Sequence, residues 1–206
     1  MKVINESVKL QGLLLTELPD LSDVSVRGDF YCNVNELRTL EGAPSEVIGG
    51  FYCQDNNLQS LKGAPTYVER GFFCFGNKLT SLIDAPTHAN GGFYCSDNYL
   101  QSLEGAPTHI GDFGSFICSN NNLRSLKGAP THVSVDFFCS DNNLQSLEGA
   151  PTYVGGDFYC SNNNLQSLEG VPTHVGGDFY CKGNRGIKIT KKMIRDVCSV
   201  RGKIFV

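Results

Sequence analysis

Eight cysteines fall in one column of the sequence: Cys32, Cys53, Cys74, Cys95, Cys118, Cys139, Cys160 and Cys181, spaced 21, 21, 21, 23, 21, 21 and 21 residues apart. Thiols in register could hold a soft metal, close disulfides or supply a nucleophile. Zinc-type sites need close pairs such as C-x-x-C, and no such pair occurs. Cysteines stacked on neighbouring strands have Cα atoms near enough to bridge, but their side chains point the same way and are poorly aimed for a bond. Each of the eight also stands two residues after a phenylalanine and three before an asparagine. That setting assigns the column to packing, with cysteine as a small hydrophobe beside a large one. The ninth, Cys198, follows a short amphipathic helical pattern capped by Thr190, which predicts burial beside Ile194 and Val197. No histidine lies near it in sequence, so it is not assigned as a nucleophile.

The four histidines share a second column, fourteen residues after cysteine: His88, His109, His132 and His174. Tyr67, Tyr153 and Glu46 occupy the same place in other units. Stacked coils would bring His88, His109 and His132 together as weak metal candidates. The simpler reading is that T-H-V is what the repeat says after proline. Asp55, Asp97 and Asp141, two residues after cysteine, are too dispersed for a calcium ladder. The expectation is a chain with no catalytic residue, no metal and no cofactor.

What must position these columns is a repeat. Phe stands two before each cysteine, Asn three after, and leucines five and eight after in seven units; proline follows twelve after, from Pro44 to Pro172. In Phe-x-Cys the two side chains share one face of a short strand, so both point inward. The next unit repeats the strand one spacing away, roughly 4.8 Å. A buried Asn can bond backbone groups of the turn that leaves each strand. The leucines and a Val or Ile fifteen after cysteine close the core; Ala89 is the exception. Val8, Leu10, Leu15 and Leu18 fit the same frame as a worn first unit, and Gly186 and Ile189 replace the leucines of the last. The predicted fold is a β-rich solenoid of about nine coils of roughly 21 residues, with short parallel strands on one face and an irregular or 3-10 far side. The predicted division is a cap and degenerate repeat over 1–29, the array over 30–189, and a cap of short helix plus strand over 190–206. The pair of extra residues in GDFGSF, 111–116, predicts a bulge at the entrance to one strand.

The unit F-x-C-x-x-N-x-L-x-x-L resembles the leucine-rich repeat over residues 8–189, and its proline-bearing half resembles the short class of bacterial effector repeats. The wording LEGAPTYVGGDFYCSNNNLQSL, 147–168, is similar to leucine-rich repeat proteins predicted in tailed-phage genomes. That resemblance implies a phage or prophage origin and implies little about activity. Some bacterial leucine-rich effectors carry a ubiquitin ligase domain; only 25 residues follow Cys181, too few for one.

If Phe and Cys face inward, the residues between them face outward: Tyr31, Tyr52, Phe73, Tyr94, Ile117, Phe138, Tyr159 and Tyr180. An apolar ribbon of this kind marks a binding face, and tyrosines suit protein recognition. Two zones stand out. Around Phe73, Phe75 and Tyr94 the flanking residues are glycine, so the rings are expected to stand proud. Around Phe138, Tyr159 and Tyr180 the flanks are Asp136, Asp157 and Asp178, which would favour a basic partner. Residues 182–206 hold eight basic residues against Asp196, a net +7, while the rest holds nine basic against twenty acidic, a net −11. An acidic body argues against nucleic acid as main partner. No apolar run is long enough to span a bilayer, and Asn5, Glu6, Ser7 and Lys9 interrupt any signal-peptide core. The sequence reading is therefore a cytoplasmic module that binds a protein, by the phage resemblance one of a bacterial host, such as a defence or regulatory component. The second reading is a self-assembling protein whose aromatic face or coil ends pair with another copy.

Overall fold

The computed structural model describes residues 2–206. Phe-x-Cys sends both side chains inward, and the strand needs only two residues to do so. The main sheet holds ten such strands in parallel, strictly in chain order: β2 (Val8–Lys9), β4 (Phe30–Tyr31), β6 (Phe51–Tyr52), β8 (Phe72–Phe73), β10 (Phe93–Tyr94), β12 (Phe116–Ile117), β14 (Phe137–Phe138), β16 (Phe158–Tyr159), β18 (Phe179–Tyr180) and β20 (Ile204–Phe205). Each coil donates forward: Phe30 N–H meets the Gly50 carbonyl and Cys32 N–H the Tyr52 carbonyl, both at 2.9 Å. The worn first unit therefore pairs as expected. The cap extends the array by a tenth strand, with Ile204 in the phenylalanine place.

Inside, eight phenylalanines lie fully buried at 0% exposure. Their rings follow one another at 5.1–5.7 Å between centroids, the offset spacing aromatic pairs prefer. Cysteine and the two leucines fill the rest of the coil. The asparagine column stitches coil to coil. Asn142 Oδ1 accepts the Leu123 N–H of the preceding coil at 3.0 Å, while its Nδ2 donates to the Cys118, Cys139 and Ser140 carbonyls.

The far side is more regular than an irregular or 3-10 path. The dipeptide ending in the inward Val forms its own parallel ladder: β1 (Lys2–Ile4), β3 (Val24–Val26), β5 (Glu46–Val47), β7 (Tyr67–Val68), β9 (His88–Ala89) and β11 (His109–Ile110), then separately β13 (His132–Val133), β15 (Tyr153–Val154), β17 (His174–Val175) and β19 (Ser199–Val200). Thr before several of these strands adds a staple: Thr173 Oγ1 donates to the Thr152 carbonyl at 2.9 Å, and Thr152 Oγ1 to that of Thr131 at 3.1 Å. The second sheet breaks between β11 and β13, where the two extra residues of 111–116 intervene. The main sheet runs past that point without a gap.

The cap helix α1 (Lys191–Arg195) is held by Thr190, whose Oγ1 accepts the Met193 N–H at 3.3 Å. Cys198 and Ile194 are buried as expected, but Val197 turns outward and is 53% exposed. Among the described residues no helix is long and apolar enough to cross a membrane.

Candidate functional site

Because the strands are parallel and in register, each outward side chain lands on the same side chain one coil away. Tyr31, Tyr52, Phe73 and Tyr94 form one stack, with centroids 4.6, 4.6 and 4.4 Å apart. Phe138, Tyr159, Tyr180 and Phe205 form a second, at 4.1, 4.3 and 4.6 Å. Ile117 stands between the stacks and interrupts ring contact. Phe205 belongs to the cap and is the member that the cysteine frame misses, since no cysteine stands one residue after it.

The rings do not stand proud. All of them are half-buried, because each ring's faces are covered by its neighbours and only the edges meet solvent. They also lean back over the residue two before them. A Cβ on Gly50 would lie 2.8 Å from the Tyr52 ring, and one on Gly71 2.7 Å from that of Phe73. Glycine in this place is thus a bed for the ring, and its absence of side chain lowers the ring instead of exposing it. Where aspartate replaces glycine and the ring is tyrosine, the hydroxyl donates to it: Tyr31 to Asp29 at 3.0 Å, Tyr159 to Asp157 at 3.0 Å, Tyr180 to Asp178 at 3.2 Å. Burial together with the Asp157 carboxylate pushes the Tyr159 phenol well above its usual range, so it stays a donor.

The aspartates have a second task. Oδ1 of Asp136 accepts the Asp157 N–H at 2.7 Å, that of Asp157 the Asp178 N–H at 2.7 Å, and that of Asp178 the Lys203 N–H at 2.6 Å. Asp29 does the same for Gly50 at 2.8 Å. A Cβ on Gly156, Gly177 or Gly202 would collide with the carboxylate of the coil before. So Asp before one Phe requires Gly two before the inward residue of the next coil. That covariation within the chain was readable: Asp29 with Gly49, Asp136 with Gly156, Asp157 with Gly177, Asp178 with Gly202. These carboxylates are engaged within the array before any partner arrives, which weakens the case for them as a basic-partner site. Phe75 lies half-buried one residue after Cys74, in the outward column otherwise held by small or polar residues and by Lys182.

Elsewhere the candidate chemistry resolves into structure. The residue two after each cysteine adopts positive φ, between 54° and 71°, in all eight units. Asp, Asn and Gly tolerate that region best, which accounts for Asp55, Asp97 and Asp141 without an ion. His88 and His109 are neighbours on paired strands with ring centroids 5.7 Å apart. His132 opens the separate sheet and stacks on Tyr153 at 4.5 Å. Among the described residues no three His, Cys, Asp or Glu side chains are placed to share a metal ion. The cysteines form no disulfide, those of Cys53 and Cys118 donating to the Phe73 and Phe138 carbonyls, and burial pushes most of the thiols up, Cys198 to about 11. Cys160 and Cys181 lie together as a pair, burial raising Cys160.

The clearest addition to the sequence reading is Phe113. The two extra residues do not form a bulge in the strand. They form a turn, closed by Gly114 N–H to the Gly111 carbonyl at 2.9 Å, with Asp112 and Phe113 at its tip. Phe113 is 91% exposed. The break in period pointed to this turn, but nothing in the spacing told which residue it would display.

No family model matches the chain, and no curated protein matches it. Among solved structures, YopM from Yersinia enterocolitica WA-314 is similar, with 20% identity and a TM-score of 0.42 over 86% of this chain and 46% of that one. The chain thus spans less than half the length of that protein. The architecture rests on its own ladders: ten in-register strands, a buried asparagine column and inward leucines make this chain a leucine-rich-repeat-like parallel β-solenoid.

Proposed function

We propose that the chain is a non-enzymatic module that holds a protein partner on the outward face of the main sheet. One observation carries this reading: among the described residues no element covers that face, and two stacks of four rings run along it. Ring edges and tyrosine hydroxyls give large contact area with little side-chain entropy left to lose, because stacking has already ordered them. Tyr31, Tyr52, Phe73, Phe75, Tyr94 and Ile117 form one half of the contact surface; Phe138, Tyr159 and Tyr180 form the other, with Asp136, Asp157 and Asp178 at its rim. The likeness of the repeat wording to phage-encoded chains supports a bacterial host protein, met in the cytoplasm, as the partner.

The test uses the outward column one residue after cysteine, which already accommodates Gln54, Phe75 and Lys182. Arginine at Ser96, Ser119 and Ser161 therefore leaves the fold intact while crowding the face. A tagged full chain is used to capture partners from bacterial lysate, beside the triple variant. A partner held by the wild type and released by the variant, with equal melting curves, supports the reading. A partner held equally by both places the site elsewhere. No stable partner from any of several host lysates refutes a host protein.

A further inference from the structure

We propose that copies of this chain join end to end, the last coil of one against the first coil of the next, so that the parallel ladders run on across the junction. Among the described residues β20 and β19 are the end strands on one side of the array, and β2 and β1 on the other. Along the main sheet inward residues donate forward, as Cys181 N–H does to the Phe205 carbonyl at 2.8 Å. Ile204 and Val206 N–H stand in that donor place with no coil after them, while the Ser7 and Lys9 carbonyls stand in the acceptor place with none before. The second ladder runs the other way: Arg27 N–H donates back to the Ile4 carbonyl at 2.9 Å, and Arg201 N–H back to that of Val175 at 3.0 Å. Its open groups are the Asn5 N–H on the first coil and the Val200 carbonyl on the last. A second copy placed by one further step of the coil-to-coil screw pairs all of these groups at once.

An open edge is a template for any strand; charge selects this chain's own first coil. Within the array, the residue just before each inward Phe aims its side chain at the place two before the inward residue of the next coil. A Cβ on Gly177 would collide there with the Asp157 carboxylate, and one on Gly202 with that of Asp178. Lys203 is the sole basic member of the first of these columns, and Glu6 the sole acidic member of the second. The same screw step therefore sets Glu6 of the second copy against Lys203. Where the array has aspartate against glycine, the junction has lysine against glutamate.

The far side agrees. The last coil carries α1, with Lys191, Lys192 and Arg195 exposed. A helix is roughly 10–12 Å thick with its side chains, about two coil spacings, so it reaches the level of the next copy's first coil, where Glu17 and Asp20 are exposed. Residues 182–206 hold a net +7, and residues 1–29 hold five acidic against three basic. Terminal coils of solenoids usually present a polar outer surface; here Val3, Leu13 and Leu14 are exposed on the first coil, and Val197 and Val206 on the last. Such a contact is heterologous, and it repeats without closing. The outward face of the main sheet stays free, so the junction stands or falls separately from the proposed partner site.

Sedimentation of the untagged full chain at low salt, from micromolar to near-millimolar concentration, tests the proposal. The expected mean mass rises with concentration and passes that of a dimer. Glu6→Lys and Lys203→Glu, each alone, weaken association by about tenfold or more, because like charges then meet. The double variant Glu6→Lys/Lys203→Glu regains it. Both side chains are exposed, so the melting curves of all three match the wild type. Val206→Pro removes an N–H that a single copy leaves unpaired, and it weakens association too. Ser96→Arg/Ser119→Arg/Ser161→Arg associates like the wild type. A wild type that stays monomeric throughout, growth that stops at a dimer, single variants that associate like the wild type, or a double variant no better than the singles would each overturn the proposal.

Discussion

Asn142→Ala asks how much one rung of the asparagine ladder contributes. Asn142 is 7% exposed and makes four hydrogen bonds to backbone. Adding four bond energies would overstate the loss, because three of its partners keep another donor. The Cys118 carbonyl retains Asn121 Nδ2 at 3.2 Å, the Cys139 carbonyl retains Asn163 Nδ2 at 3.0 Å, and the Ser140 carbonyl retains the Asn120 N–H at 3.1 Å. Only the Leu123 N–H, buried against the core, is left without an acceptor. One orphaned buried donor costs about 1–3 kcal/mol, so with the small void left by the amide the expected loss is about 2–3 kcal/mol. Asn184, at the end of the column, is the internal control. Its Oδ1 accepts nothing, so Asn184→Ala orphans no donor and should cost under about 1 kcal/mol. Urea titration of the full chain reads both; with a slope of about 2–3 kcal/mol per molar, Asn142→Ala lowers the midpoint by about 1 M. Equal midpoints for the two variants, or no shift for Asn142→Ala, would mean that counting orphaned donors is the wrong way to read this ladder.

Two further outcomes follow from local geometry and from the thiols. Val34 sits at φ 55°, in the column where the other units place Asp, Asn or Gly, and is 54% exposed. Val34→Asn relieves a β-branched residue in the left-handed region and loses little burial, so it should stabilise by about 1 kcal/mol; an unchanged or lower melting temperature refutes the strain. Burial raises the thiols of Cys32, Cys53, Cys74, Cys95, Cys118, Cys139 and Cys198, so above the ordinary cysteine value of 9.0 the unfolded chain releases protons that the folded chain keeps. With fewer protons bound when unfolded, stability falls as pH rises from about 8.5, through the Cys198 value of about 11 and beyond. Melting temperature should drop steadily between pH 8 and pH 10.5, and the thiols should resist a disulfide reagent until the chain unfolds. A flat melting profile over that range would show that the thiols are not shielded.

Much of the architecture follows from the sequence because a parallel solenoid obeys only two constraints, and both leave periodic marks. Every coil must fill the same cross-section, so Phe, Cys and the leucines recur at fixed offsets. Every coil must also satisfy the same buried backbone, so Asn recurs too. The alternation of a strand then separates inward from outward residues, which picks out the aromatic column. What depended on the assembled fold was how neighbouring coils modify one another. Stacking hides the ring faces, and an outward ring leans on whatever stands two residues before it, so Tyr52 beds on Gly50 while Tyr31 bonds to Asp29. The second ladder is not legible in the sequence because two-residue strands reading His–Val or Tyr–Val have no alternation of their own; their pairing is seen only when the coils are stacked in register. Phe205 joined its stack through the cap's return to the ladder, across a break in the repeat that no spacing bridges. Phe113 is the strongest case. The sequence locates two inserted residues, but whether their side chains turn inward or toward solvent depends on how the feet of the turn rest against Asn90, Gly92 and Ile110.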